Sequence, residues 1–239
     1  MVNLSINFPR SVLAAHTLPY ACLKVPHGLS NRELGEFRRF VNRFIGGKND
    51  LFHNHRSITS YHYRYPLVQY KVLDGKAALI GVGANGVEAL QQLEATEAFS
   101  ENCRHFFGES PAAVNAQTLQ LLIHENTCHE YRLCNYMALN ERNFQQWQKS
   151  LSLVQRAALL ESCITGHILK FASAIQWQLP PKSLQVELLD YRFKQGSRFD
   201  NTFLLFDIRF RSNIILPDAI GLGKAVSHGH GLIERCKNT

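Results

Sequence analysis

The sequence predicts an α+β fold in which two small antiparallel sheets are each covered by helices. Strand-like and helix-like segments are mixed in both halves of the 239-residue chain, as in α+β proteins. Asp74-Gly75, between two apolar runs, is a residue pair typical of a tight hairpin turn. The proline-containing stretch 110–115 is the best candidate for a boundary between the halves. We therefore predict two domains, residues 1–112 and residues 113–239.

The first half reads as strand, helix, strand, strand, helix. Residues 17–25 are apolar with β-branched ends, which predicts a buried strand. Ser30, with Glu33 three residues later, is typical of the capping box that begins a helix. The next residues place apolar side chains at three- and four-residue steps, and this helix is expected to end at Gly46-Gly47. After the hairpin, a second helix is predicted from about Gly86.

The second half opens with two strand-like runs, TLQLLIHE and HEYRLCNYMAL. A helical pattern follows over residues 141–175. Two longer strands, 183–195 and 201–216, are predicted on either side of a turn at Gly196-Ser197. A tandem of ferredoxin-like units fits this order of elements in the two halves.

The composition indicates a globular protein with a polyanionic partner. Hydrophobic residues make up 45% of the chain, enough for a core. Lys and Arg number 26 against 19 Asp and Glu, a net charge of +7 that favours nucleic acid. No apolar stretch approaches the roughly 20 residues of a membrane span. The N-terminus lacks a signal layout, and the six cysteines include no CxxC pair, so we expect a reduced cytoplasmic protein without a membrane segment.

Residues 51–71 form the first segment that could carry chemistry. No acidic residue lies between Asp50 and Asp74, and the segment interleaves basic side chains with tyrosines: His53, His55, Arg56, His62, Arg64, Lys71, Tyr61, Tyr63, Tyr65 and Tyr70. If the stretch from His53 to His55 is extended, both imidazoles point to one side of the chain. Two such histidines suit RNA cleavage, in which one accepts the 2′-OH proton and the other protonates the 5′-oxygen leaving group. Arg56 or a lysine could stabilise the charged phosphorane.

Two other interpretations of this segment stay open. It could be a solvated basic loop that its tyrosines anchor to the protein. His-x-His is also a frequent spacing of metal ligands, although no carboxylate or cysteine close in sequence completes a set.

Residues 221–233, GLGKAVSHGHGLI, form the second segment. Gly221, Gly223, Gly229 and Gly231 bracket Lys224 and two histidines. Glycines leave amide N–H groups uncovered, so such a loop can cup a phosphate. A flexible hairpin loop is the alternative. Neither GxGxxG nor GxxxxGKS is present, which excludes the usual dinucleotide and Walker motifs.

The second segment resembles the C-terminal glycine-rich motif of the RAMP superfamily, specifically of the CRISPR repeat-processing endoribonucleases. The preceding SNIILPDAIGLG is also similar to that family. The first segment, with HNH followed by YRYPLVQYK, resembles the catalytic loop of the subgroup that uses a histidine pair.

The resemblance implies two tandem ferredoxin-like domains, related to the RNA recognition motif, that cut CRISPR precursor RNA within each repeat to give crRNA. The reaction would need no metal and no cofactor and would leave a 2′,3′-cyclic phosphate and a 5′-hydroxyl. His53 and His55 match the histidine pair. A tyrosine and a lysine usually complete the site, and these residues compete for the two roles: Tyr61, Tyr63, Lys48 and Lys71. The residues that match the RNA-contacting loop are Gly221, Gly223, Lys224, Gly229 and Gly231.

We expect a basic cleft between the domains to hold the repeat RNA, single-stranded or as a hairpin. The candidate phosphate contacts are Arg38, Arg39, Arg43, Arg56, Lys71 and Lys224. Interference-complex proteins and a second copy of the chain, as a homodimer, are further candidate partners. Two rival functions remain: a non-catalytic RAMP subunit that binds crRNA in an effector complex, and a metal-dependent hydrolase.

Overall fold

The computed structural model describes residues 11–45, 49–53, 55–57, 60–61, 65–150, 152–198 and 201–236. The elements of the first half are β1 (Val12–Gly28), α1 (Leu34–Ile45), α2 (Asp50–His53), β2 (His55–Ser57), β3 (Ser60–Tyr61), β4 (Val68–Leu73), β5 (Lys76–Val82), α3 (Gly83–Glu94), α4 (Glu97–Phe107) and β6 (Asn115–His124). Those of the second half are β7 (His129–Tyr136), α5 (Glu141–Lys149), α6 (Leu153–Ala174), β8 (Val186–Arg198), β9 (Asn201–Ser212), a 3₁₀ turn (Val226–His228) and β10 (Leu232–Arg235).

The first sheet has the strand order β4-β5-β1-β6, and its neighbouring strands are antiparallel. With α1 and α3 as crossovers, this is the βαββαβ arrangement of a ferredoxin-like unit. The long strand β1 is central because it pairs with β5 on one side and with β6 on the other. The predicted boundary after residue 112 would leave β6 in the second domain, although this strand pairs with β1 in the first sheet. β6 fills the second edge of β1 and completes the first unit, so the boundary falls between β6 and β7.

The second sheet repeats this arrangement with the strand order β10-β7-β9-β8, again antiparallel. Helices α5 and α6 connect β7 to β8. Between β9 and β10, the place of the second crossover helix is taken by the glycine-rich segment, residues 221–231, which contains the 3₁₀ turn. The predicted α+β class and the tandem of ferredoxin-like units are both confirmed.

Side-chain hydrogen bonds to backbone amides mark the starts of α1, α5 and α6, whereas α3 and α4 have no side-chain cap. The Glu33 carboxylate accepts hydrogen bonds from the Ser30 amide at 2.9 Å and from its hydroxyl at 2.7 Å, just before α1. The pattern over residues 141–175 forms two helices instead of one, because the Ser152 hydroxyl accepts from the Gln155 amide and begins α6 anew. No helix in the described part of the chain is long and apolar enough to cross a membrane.

The two predicted turns have different outcomes. Asp74 and Gly75, with φ of 52° and 71°, form the two-residue turn between β4 and β5, as predicted. Gly196 does not turn the chain. It lies within β8 opposite Phe203, whose ring occupies the space where a Cβ would be, and the strand pairing continues for two further residues. This glycine makes room for a cross-strand aromatic ring.

The core lies in two layers on either side of the first sheet. On the outer face, α1, α3 and α4 cover one apolar cluster. On the inner face, Leu18, Ile80 and their neighbours pack against residues of α6, such as Phe171, and of the second sheet. Because this second cluster includes residues of both units, the units share one buried interface.

Candidate functional site

The histidine pair lies at the junction of a helix and a strand. His53 is the last residue of α2 and His55 is the first residue of β2, so the segment between them is not a continuous strand. The condition under which both imidazoles would point to one side, an extended stretch from His53 to His55, is not met at His53, which is helical. The β2–β3 pairing places the backbone of His55 opposite Tyr61. Lys48 and Tyr63, and the side chains of the histidine pair, Arg56 and Tyr61, lie outside the described part of the chain.

Strand β4 brings the two sequence segments together. Helix α2, which ends at His53, packs against α1 and β4. The 3₁₀ turn of the glycine-rich segment packs against the same strand. His53 and the 3₁₀ turn are about 170 residues apart in sequence, yet the helix that ends at His53 and this turn both pack against β4.

The glycine-rich segment is built into the interface between the units. The Gly221 amide donates to Gln69 Oε1 at 2.8 Å, and the Gly221 carbonyl accepts from the Tyr65 hydroxyl at 2.9 Å. Gln69 Nε2 also donates to the Tyr65 hydroxyl at 2.9 Å. All of these groups are buried. The Gly221 amide would have to give up its hydrogen bond to Gln69 to contact an RNA phosphate, and that contact stays a prediction.

Two of the other glycines allow close packing of the segment on itself and on β7. Gly231 is buried and has φ +68°, and a Cβ there would overlap the Leu222 carbonyl oxygen. Gly231 is thus packed inside the segment, and its contact with RNA stays a prediction. Gly223 has φ +97°, and a Cβ there would come within 2.5 Å of the Tyr136 ring. Gly229 is half-buried beside the Leu34 side chain.

Lys71 is fully buried under the glycine-rich segment. Its ammonium group donates a hydrogen bond to the His230 carbonyl oxygen at 3.2 Å. Burial lowers the pKa of Lys71 to about 7, because an apolar surrounding disfavours the charged form. Lys71 therefore does not lie on the surface of the protein, and its contact with RNA stays a prediction. The lysine instead ties β4 to the backbone of the second segment.

The three arginines of α1 do not form one surface. The Arg38 guanidinium lies 5.8 Å from the centre of the Tyr70 ring, and its Nη1 is 2.7 Å from His228 Nε2. Burial lowers the pKa of Arg38. Arg39 is exposed and forms an ion pair with a glutamate of its own helix. Arg43 lines a surface cavity of about 250 Å³ among phenylalanines. Of the three, Arg38 is the one that faces the glycine-rich segment.

Lys224 is exposed at the rim of the same segment, while its backbone amide donates to the Met137 carbonyl at 3.1 Å. The described contacts also include His228 and Gln69, which the sequence did not single out as site residues. Gln69 and Gly221 are 152 residues apart. Arg38 and His228 are 190 residues apart. No spacing rule in the sequence could have indicated either pair.

Comparison with known proteins agrees with this architecture. A 31% identical stretch of 100 residues is shared with an uncharacterised protein of Methanocaldococcus jannaschii, covering 42% of this chain and 67% of that protein. The fold is similar to a crystal structure of Cas6b, with a TM-score of 0.73 and 22% identity over 92% of this chain and 100% of the other. It is also similar to a CRISPR RNA processing endoribonuclease Cas6b, with a TM-score of 0.67, 21% identity and the same coverage of both chains.

The family assignment rests on both halves of the chain. The Cas6b N-terminal domain matches residues 16–109. The Cas6b C-terminal domain matches residues 123–236, and so begins near the end of β6, close to the boundary between the two sheets. The two matches together span most of the described structure and both ferredoxin-like units, and the chain therefore belongs to the Cas6b family.

Proposed function

We propose that this chain is an endoribonuclease that cleaves CRISPR precursor RNA within its repeats to give crRNA. Membership of the Cas6b family supports this proposal. One structurally similar protein is described as a CRISPR RNA processing endoribonuclease. The net charge of +7 fits a polyanionic substrate, since each phosphate that a protein cation neutralises releases a counterion.

The observation that carries the proposal is the meeting of the two sequence segments on β4. Helix α2, ending at His53, packs against this strand, and so does the 3₁₀ turn that ends at His228. Arg38 lies beside His228 and Tyr70, so a cation that could contact phosphate stands where the 3₁₀ turn meets β4.

The reaction we propose is an internal transesterification without a metal ion. One histidine of the pair accepts the proton of the 2′-hydroxyl, and the 2′-oxygen forms a bond to phosphorus as the bond to the 5′-oxygen breaks. The other histidine donates a proton to the departing 5′-oxygen. The products are a 2′,3′-cyclic phosphate and a 5′-hydroxyl, with no net gain or loss of protons.

His53 and His55 are the proposed acid and base. Tyr61 is the better of the two candidate tyrosines, because its backbone lies opposite His55 in the β2–β3 pair and cross-strand neighbours are about 5 Å apart. Tyr63 and Lys48 stay as the alternative tyrosine and the candidate lysine. We propose that Arg38 and Lys224 contact the RNA backbone, with Arg39, Arg43 and Arg56 as further candidates.

Single and double alanine variants of the histidine pair test this assignment. His53→Ala and His55→Ala should each lower the single-turnover cleavage rate by about 10²- to 10⁴-fold, the usual effect of removing a general acid or base, while the affinity for repeat RNA stays unchanged. His105→Ala is the matched control, because His105 is an exposed histidine on α4. Cleavage by the double variant at the wild-type rate would place the catalytic centre elsewhere.

The same assay separates the two rival functions. A protein that binds repeat RNA but leaves it uncut would be a non-catalytic RNA-binding subunit. Cleavage that stops in EDTA and returns with a divalent cation would indicate a metal-dependent hydrolase.

A further inference from the structure

Helix α6 and the glycine-rich segment place three nitrogen-bearing side chains around one point of the surface. We propose that His167, Lys170 and Lys224 bind one phosphodiester group of the RNA. The site uses none of the residues proposed for catalysis. The inference rests on the proposed function, because it takes RNA as the ligand.

A buried tyrosine sets the orientation and the tautomer of His167. The Tyr136 hydroxyl, on β7, lies 2.5 Å from His167 Nδ1. Burial keeps the pKa of Tyr136 well above its ordinary value of 10, so the phenol retains its proton at neutral pH. This buried hydroxyl has no other acceptor among the described residues, so it donates to Nδ1, and the neutral ring carries its own proton on Nε2.

The Nε2–H group of His167 is available to a ligand. No described residue forms a hydrogen bond with it, and it is not among the buried polar atoms without a partner. The pKa of His167 is lowered to about 4, first by burial and then by the charges of Lys170 and Lys224. At pH 7 the imidazole is thus a neutral donor held beside two cations.

The two lysines are exposed, and the described part of the chain gives neither of them an acidic partner. Lys170 follows His167 by three residues on α6, a spacing that places both side chains on one face of the helix. Within the described residues, neither ammonium group forms an ion pair, and no carboxylate offsets their effect on His167. Two like charges beside a fixed N–H donor repel one another, and a phosphate would relieve that repulsion.

The same tyrosine also positions the segment that carries Lys224. A Cβ on Gly223 would lie within 2.5 Å of the Tyr136 ring, so the ring is packed directly against this glycine. The Lys224 amide donates to the carbonyl of Met137, the residue after Tyr136. Tyr136 therefore fixes both the His167 ring and the backbone next to Lys224, as a preorganised binding site requires.

Equilibrium binding of a repeat RNA with 2′-fluoro at every nucleotide tests the site, because this RNA has no 2′-hydroxyl to attack its own phosphates. Lys170→Ala should weaken binding about four- to fivefold at 0.15 M salt and lower the slope of log K against log[salt] by about 0.7–0.9, the effect of one phosphate contact. Lys149→Ala, the matched control on α5, removes the same charge from an exposed lysine and should leave the slope unchanged.

An NMR titration of His167 supplies a second measurement. Bound phosphate should raise the pKa of this histidine from about 4 when the 2′-fluoro RNA is added. The proposal is overturned if Lys170→Ala and Lys149→Ala lower the slope equally, if the pKa of His167 does not move, or if the wild-type protein fails to bind the RNA.

Cleavage of the natural repeat RNA is measured in parallel. A wild-type protein that binds the natural RNA but does not cut it would contradict the proposed function. The phosphate site would then still be tested by the salt dependence of binding for Lys170→Ala and Lys149→Ala.

Discussion

Replacing the buried lysine of β4 by methionine should make the protein more stable at neutral pH. Lys71 is fully buried, and among the described residues its ammonium group has one hydrogen bond, to the His230 carbonyl. Methionine has a similar length and volume but no charge, so Lys71→Met keeps the packing while it removes the cost of burying an ammonium group.

The size of this effect follows from the pKa of Lys71, which burial lowers from 10.5 to about 7. Between these values the unfolded chain binds a proton that the folded chain does not bind, so the free energy of unfolding rises with pH. The penalty is full below pH 7 and is lost as the pH approaches 10.5. At about 1.4 kcal/mol for each pH unit, it amounts to about 4 kcal/mol at pH 7 and about 1.4 kcal/mol at pH 9.5.

Urea unfolding of the wild type and of Lys71→Met at pH 7 and pH 9.5 measures this penalty. Loss of the hydrogen bond to His230 costs about 1 kcal/mol, so Lys71→Met should gain about 3 kcal/mol at pH 7 and almost nothing at pH 9.5. The control is Lys76→Met, at an exposed lysine in the same sheet, which should change stability little at either pH. A gain for Lys71→Met that is the same at both pH values would refute the reasoning, because a buried ammonium group cannot produce it.

Two further variants test how the glycine-rich segment is held. Gly231→Ala should lower the free energy of unfolding by more than about 2 kcal/mol in urea denaturation, because its Cβ would overlap the Leu222 carbonyl at a positive φ; an unchanged midpoint would contradict the packing. Tyr65→Phe should cost about 1–3 kcal/mol, because it removes the hydroxyl shared by Gly221 and Gln69, and a neutral result would show that this buried pair is satisfied in another way.

The features that the sequence predicted well are local ones. The Asp74-Gly75 turn was predictable because two neighbouring residues determine its backbone, and both have the positive φ expected there. The apolar stripe of α1 depends only on the helical period, and Leu34, Phe37 and Val41 are buried as that period requires. The order of strands and helices that the sequence predicts in each half also agrees with the two ferredoxin-like units of the structure.

The features that the sequence did not predict depend on contacts between distant residues. Nothing near β6 shows that it pairs with β1, about 100 residues earlier. The glycines of the second segment suggested a phosphate loop, but Gly221 and Gly231 are needed for packing against partners that no local pattern reveals. The sequence favours a surface position for Lys71, because a charged residue in a basic segment is usually solvated. Its burial depends on the second unit, whose His230 carbonyl accepts a hydrogen bond from it.

The packing of Gly223 limits what a variant at this position can test. A loop that lies outside the core would accept a larger residue at Gly223 and lose only RNA affinity. The Tyr136 ring fills the space beside this glycine, and the backbone there has φ +97°. A loss of RNA binding by a Gly223 variant would therefore have to be corrected for a loss of folding. Lys224, which is exposed, is the better probe of RNA contact.

The central claim is that the 2′-hydroxyl of the RNA is the nucleophile and that no metal ion takes part. The most direct measurement compares, in EDTA, the cleavage of a natural repeat RNA with that of the same RNA carrying one 2′-deoxy nucleotide before the cut. We predict that the natural RNA is cut to a 2′,3′-cyclic phosphate and a 5′-hydroxyl, and that the 2′-deoxy RNA is bound with similar affinity and stays intact. Cleavage of the 2′-deoxy RNA at the natural position, or a natural RNA that is cut only when a divalent cation is supplied, would contradict the account.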